Sequence, residues 1–117
     1  MSKKIMIVDD DQNDLNSMKE ILEGEGYEVI CVENGADALD QLTGDGFSLI
    51  MIDIQMPTLT GYDLLRLMRE KVNHDAKMIY VSIVPEKEVL MDDVDGFIQK
   101  PFSSGSLIEK VKKVIGS

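Results

Sequence analysis

Asp9, Asp10, Asp53, Ser82 and Lys100 each stand at the carboxyl end of a short, mostly apolar run. Ile5-Met6-Ile7-Val8 precedes the acid pair, and Leu49-Ile50-Met51-Ile52 precedes Asp53. Ile79-Tyr80-Val81 precedes Ser82, and Phe97-Ile98-Gln99 precedes Lys100. Runs of this length and composition predict strands. In an open parallel sheet the carboxyl ends of the strands form one rim, and ligands bind there. Three acids, a hydroxyl and an amine on one rim have the chemistry of a divalent cation and a phosphoryl group.

Each group also has a plainer reading. In Asp9-Asp10-Asp11 the adjacent like charges repel, which a hard cation with oxygen ligands would relieve. Alternatively, Asp11 caps the following helix and the other two face solvent. Asp53 ends a very apolar strand, where an ionised carboxylate costs several kcal/mol unless it is paired or metal-bound. Lys100 could neutralise it in a structural ion pair, but that leaves the acid pair unexplained.

Apolar runs alternate with helix-period segments. Lys4–Val8 predicts the first strand. Asp14–Glu23 predicts a helix with Leu15, Met18, Ile21 and Leu22 on one stripe, stopped by Gly24 and Gly26. Tyr27–Val32 predicts the second strand. Asn34-Gly35 opens a helix with Ala36, Ala38, Leu39 and Leu42 inward, ended at Gly44-Asp45-Gly46. Phe47–Ile52 predicts a third strand, apolar enough to be covered on both faces. A loop with Pro57 leads to a helix over Gly61–Lys71, with Leu64, Leu65 and Met68 inward and Leu67 broadening the apolar face. Lys77–Val81 predicts the fourth strand, Glu86–Met91 a short helix at most, and Gly96–Gln99 the fifth strand. Ser103–Ile115 predicts the last helix, with Leu107, Val111, Val114 and Ile115 on one face and Ser103 or Ser104 as its cap. The result is an α/β protein of five βα units, a parallel sheet with helices on both faces and right-handed crossovers.

The 117 residues suit one domain, taken as 1–117 with no output domain. Net charge is 12 − 22 = −10, which repels nucleic acid on average and favours basic partner surfaces. The lone Cys31 cannot make an internal disulfide and reads as a small buried hydrophobe. The N-terminal run is too short and too soon interrupted by acids to be a signal peptide, and no stretch approaches transmembrane length. These features predict a cytoplasmic protein without membrane contact. The one histidine, His74, reads as a solvated surface residue, and the eight methionines as core filler.

Taken together, the motifs resemble the receiver domain of two-component response regulators. The resemblance rests on the acid pair after strand one, Asp53-Ile54-Gln55-Met56-Pro57 after strand three, Ser82 after strand four, and Lys100-Pro101-Phe102. It spans essentially the whole chain and implies a doubly wound, flavodoxin-like sheet of order 2-1-3-4-5. It implies that Asp53 is the phosphoacceptor, forming an aspartyl phosphate. Asp10 would bind Mg2+ directly, Asp9 mostly through water, and Asp53 and the Gln55 backbone carbonyl would complete the protein ligands. Lys100 would neutralise the phosphoryl group. Ser82 would be the switch hydroxyl and Phe97 the switch aromatic, although Phe97 also reads as an ordinary core residue. The Lys100–Pro101 peptide would be cis. The resemblance further implies a sensor histidine kinase or phosphotransfer protein upstream, a protein target downstream, and a monomer or weak dimer. The chain would be a phosphoprotein and signalling module with weak phosphotransfer and autodephosphorylation, not a turnover enzyme. Its switched surface would comprise the family's fourth helix, fifth strand and fifth helix.

Two features depart from the family pattern. Ile83 replaces the very small residue that usually follows the switch hydroxyl. Val84–Asp95 is about one helical turn short, opens with Pro85, and ends in Met91-Asp92-Asp93-Val94-Asp95, which is rich in weak helix formers. A short or irregular fourth helix follows. Dehalogenase-like phosphatases also use an aspartate after a parallel strand with Mg2+, but they require a second aspartate two residues on, where this chain has Gln55. A third possibility is an unphosphorylated interaction module, against which the intact acid, hydroxyl and lysine set argues.

Overall fold

The computed structural model describes residues 3–42, 46–71 and 75–116. Five strands, β1 (Lys4–Val8), β2 (Glu28–Val32), β3 (Leu49–Ile52), β4 (Lys77–Ser82) and β5 (Gly96–Gln99), form one sheet. The order is β2-β1-β3-β4-β5, and every pairing is parallel. Four helices, α1 (Gln12–Gly24), α2 (Gly35–Leu42), α3 (Gly61–Lys71) and α4 (Ser104–Ile115), cover the sheet. This is the doubly wound arrangement that the alternating pattern predicts.

The pleat sorts the core into two layers, because successive strand residues point to opposite faces. Met6, Val8, Ile50, Ile52, Met78, Tyr80 and Phe97 pack with Ala38 and Leu42 of α2 and with Leu64, Leu65 and Met68 of α3. Ile5, Ile7, Leu49, Met51, Ile79, Val81 and Ile98 pack with Leu15, Met18 and Leu22 of α1 and Leu107 and Val111 of α4. The three central strands β1, β3 and β4 are thus apolar on both faces, which explains their nearly unbroken apolar runs.

Helix α1 starts at Gln12, two residues before the sequence expectation. Asp11 caps it, its carboxylate accepting from the N–H groups of Asn13 at 2.9 Å and Asp14 at 3.2 Å. Helix α4 opens on a reciprocal cap in which Ser103 and Ser106 bond each other's backbone N–H groups. Ala36 does not point inward as expected. It is exposed, and α2 instead buries Gly35, Ala38 and Leu42, spaced three and four residues apart. Cys31 is half-buried on the edge strand β2, with its thiol 3.9 Å from the Leu15 carbonyl, and burial raises its pKa. Gly44 and Asp45, read as a helix stop, and His74 lie outside the described residues.

The stretch between β4 and β5 contains only a 3-10 turn, Glu86–Glu88. Pro85 stands before it in an extended conformation, Val89 follows extended, and Asp93 sits at φ 63°. The short, irregular fourth helix inferred from Pro85 and the aspartates is therefore reduced to a single turn.

Candidate functional site

The rim is built by continuing the parallel ladders one residue past the strands. Val8 stands opposite both Val32 and Ile52. One step on, the Asp9 N–H donates to the Val32 carbonyl at 3.1 Å and the Asp53 N–H to the Val8 carbonyl at 2.9 Å. The Lys100 N–H donates to the Ser82 carbonyl at 2.8 Å. Backbone bonding thus sets where both acids and the lysine stand on the rim. Asp9, Asp53 and Lys100 continue the pleat parity of Ile7, Met51 and Ile98, whose face carries α1. Ser82 continues that of Tyr80, on the α3 face.

Asp9 is fully buried, Asp53 is 7% exposed, and Asp10 is exposed. Each offers a carboxylate oxygen, and the three oxygens lie within 4.8 Å of one another. The Lys100 ammonium, 9% exposed, donates to Asp9 at 2.7 Å and to Asp14 at 2.8 Å. The plainer reading of the sequence paired Lys100 with Asp53. The structure instead gives its hydrogen bonds to Asp9 and to Asp14, which lies on the first turn of α1 and which sequence reasoning missed.

The electrostatics follow from this geometry. Burial pushes the Asp53 carboxyl up to about 7, and the neighbouring Asp9 charge pushes the same way. Lys100 and the Gln55 N–H, which donates to Asp53 Oδ1 at 3.3 Å, pull it back in part. For Lys100, burial works to lower the pKa, but bonds to Asp14 and Asp9 and the Asp53 charge raise it overall. Asp9, Asp10, Asp14 and Asp53 carry four negative charges when ionised, and Lys100 returns one. Clustered carboxylate oxygens with excess negative charge on an open rim fit a hard divalent cation such as Mg2+.

Ser82 is fully buried, and its Oγ accepts the Val84 N–H at 3.1 Å. Gln99, also missed by the sequence reading, ties the same loop. Its amide donates to the Ser82 and Ile83 carbonyls at 3.1 Å each, and its Oε1 accepts the Glu86 N–H at 3.2 Å. Phe97 is buried in the core with Tyr80. The Lys100–Pro101 peptide is cis.

Gly61 closes the loop that follows Asp53. A Cβ there would lie 2.5 Å from the Asp53 carbonyl oxygen and 2.7 Å from Ile54 Cα, and the Gly61 N–H donates to the Ile54 carbonyl at 2.8 Å. Because the obstacle is backbone, it cannot rotate away. Gly61→Ala is expected to cost about 1–3 kcal/mol in chemical denaturation. An unchanged midpoint would show that this loop has room to yield.

The family model for the response regulator receiver domain matches residues 5–112. The chain belongs to that family. This receiver domain is 36% identical to the nisin biosynthesis regulatory protein NisR of Lactococcus lactis subsp. lactis, over 96% of its own length and 50% of NisR. It is 26% identical to the polar-differentiation response regulator DivK of Brucella anthropi, over 99% of its length and 98% of DivK. It spans about half the length of several of the curated relatives it matches. Among solved structures, the response regulator TrrA of Thermotoga maritima in complex with Mg2+-BeF superimposes with a TM-score of 0.85 at 34% identity, covering 96% of this chain and 98% of TrrA. TrrA has also been solved with the histidine kinase ThkA, and that copy gives a TM-score of 0.84 at 35% identity, covering 96% of this chain and 97% of TrrA. Domains of this family are two-component signalling switches rather than enzymes. Among the described residues no helix is long and apolar enough to cross a membrane.

Proposed function

We propose that Asp53 accepts a phosphoryl group from the phosphohistidine of a sensor histidine kinase or a phosphotransfer protein. An Asp53 carboxylate oxygen forms the new bond to phosphorus while the P–N bond breaks. The electron pair of that bond leaves with the imidazole, which then takes up a proton. Asp9, Asp10, Asp53 and the Gln55 carbonyl would hold Mg2+, which when bound neutralises charge on the carboxylates and on the phosphoryl oxygens. Lys100, bonded to Asp9 and Asp14, would supply further positive charge to the phosphoryl group. The observation that carries this reading is a buried carboxylate at the end of the central strand, with two further carboxylates within 4.8 Å. The TrrA complexes with Mg2+-BeF and with ThkA support the metal and the kinase.

Ser82 would donate its hydroxyl to a phosphoryl oxygen, giving up the bond to the Val84 N–H. Phe97 would follow, and the surface around the Glu86–Glu88 turn, β5 and α4 would change population and be read by a downstream protein target. The domain would work in the cytoplasm, as a monomer or weak dimer, without direct contact to nucleic acid. Adding beryllofluoride and Mg2+ should shift the backbone NMR signals of Ser82, Val84 and Phe97. Signals unmoved at saturating beryllofluoride would contradict the switch.

Ile83 follows Ser82 directly and is 64% exposed. A branched side chain next to the switch hydroxyl would restrict the access of water to the phosphoryl group, so Ile83→Ala should shorten the life of the phosphorylated state. Equal decay rates for the two proteins would remove that role.

A further inference from the structure

Among the described residues three large hydrophobic side chains stand well exposed, Ile83 at 64%, Leu90 at 64% and Met91 at 38%. All three fall in the nine residues 83–91, between β4 and β5. Scattered exposed apolar residues are unremarkable, but Leu90 also lines a groove, with Met91 next to it in the chain. The stretch covers the β4–β5 end of the sheet on the face where α2 and α3 cover the rest, and it does so with one 3-10 turn.

A groove of about 240 Å³ runs between this stretch and α3. Tyr62, Leu65, Tyr80 and Leu90 give it apolar walls. Tyr62 and Tyr80 meet edge to face with centroids 5.4 Å apart, and the Tyr62 hydroxyl accepts the Leu90 N–H at 3.2 Å, so these walls are held in place. The volume is below the roughly 300 Å³ at which small-molecule pockets begin, and suits a few side chains projecting from another protein.

The charge around the groove selects the partner. Glu70, Asp92 and Asp93 line it, and the adjoining turn carries the exposed Glu86, Lys87 and Glu88, acidic on balance. The two arginines in its wall are already engaged: Arg66 with Asp63, and Arg69 with the Asp93 carbonyl and Asp95. The whole chain carries −10. We propose that this groove docks an amphipathic helix of a partner protein, one that sets leucine-like side chains between Tyr62 and Leu90 and places lysines or arginines over the acidic rim. The partner helix completes the helical layer that the short 83–95 connection leaves thin.

The test uses the full, unphosphorylated chain, so its outcome is independent of the chemistry at Asp53. The probe is a helical peptide of leucine and lysine, about 18 residues or five turns long. A peptide of identical composition, scrambled to destroy the apolar stripe, serves as control. Binding is read by calorimetry and by backbone NMR shifts. The proposal predicts saturable binding with shifts at Tyr62, Leu65 and Leu90–Asp93. It also predicts about tenfold or greater loss of affinity for the scrambled peptide and for the Leu90→Ser/Met91→Ser variant, whose charge is unchanged. Equal affinity for both peptides, or for both proteins, would show charge attraction alone and overturn it. So would shifts confined to other acidic surfaces, or no binding below about 100 μM. Self-association of the wild type that the double variant abolishes would give the groove to a second copy and also overturn it.

Discussion

Without metal, Asp53→Asn should unfold at a higher temperature than the wild type above pH 7, and should lose most of the wild type's decline in stability between about pH 4 and 7. Asp53 is buried beside Asp9, and its carboxyl is pushed up to about 7. An unfolded aspartate titrates near 3.9. Between those values the folded chain holds a proton that the unfolded chain has released. Stability contributed by this group is therefore complete below about pH 4 and is lost as pH rises through 7. Moving the carboxyl from near 3.9 to about 7 corresponds to about 4 kcal/mol if fully realised, and relaxation around the buried charge reduces this to about 1–2 kcal/mol. Asparagine keeps the shape and removes the charge. At pH 8 the variant should gain about 3–8 °C, as measured by calorimetry. Mg2+ should stabilise the wild type more than the variant, and increasingly so as pH rises, because a metal ligand must be deprotonated. A variant no more stable than wild type at pH 8 would mean that the Asp9–Asp53 repulsion is already relieved in the metal-free fold.

Asp14→Asn should quicken phosphoryl uptake from acetyl phosphate by about three- to tenfold. Lys100 is bonded to Asp9 at 2.7 Å and Asp14 at 2.8 Å, and it must redirect a donor to a phosphoryl oxygen on Asp53. The Asp14 bond is a restraint on that movement. Removing one charge-assisted bond, screened to about 1 kcal/mol because the Asp14 side chain is 36% exposed, lowers the cost by an equivalent factor. The same change should lower the stability of the resting fold by a similar amount. The rate is followed by intact mass at fixed Mg2+. A variant that is slower, or unchanged, would show that Asp14 aims the lysine instead of holding it back.

Asp14 shows where sequence reading stopped. Its partner is Lys100, 86 residues away, and nothing in Gln12-Asn13-Asp14-Leu15 distinguishes an acid facing a lysine from one favouring a helix start. The acids on the rim were legible because each ends an apolar run, and a parallel sheet collects strand ends. The layer each strand residue joins follows from the two-residue pleat, as Met6 and Val8 against Ile5 and Ile7 illustrate. Pro85 and the aspartates after Met91 correctly forecast a stunted helix, since weak helix formers there have no apolar stripe to compensate. Ala36 misled because alanine tolerates either side of a helix. Gly61 was read as a helix start; its contact with the Asp53 backbone depends on a loop path that composition does not encode. Gln99 was masked by lying within a strand, although its amide organises the neighbouring loop.

The central claim is that Asp53 is the phosphoacceptor of a metal-assisted receiver. Incubating the protein with acetyl phosphate and Mg2+ and weighing it intact, beside Asp53→Asn, tests this most directly. The account predicts the added mass of one phosphoryl group in the wild type, absent from the variant and absent when the metal is chelated. An adduct that persists in Asp53→Asn, or a wild type that stays unmodified at saturating donor and Mg2+, would contradict it.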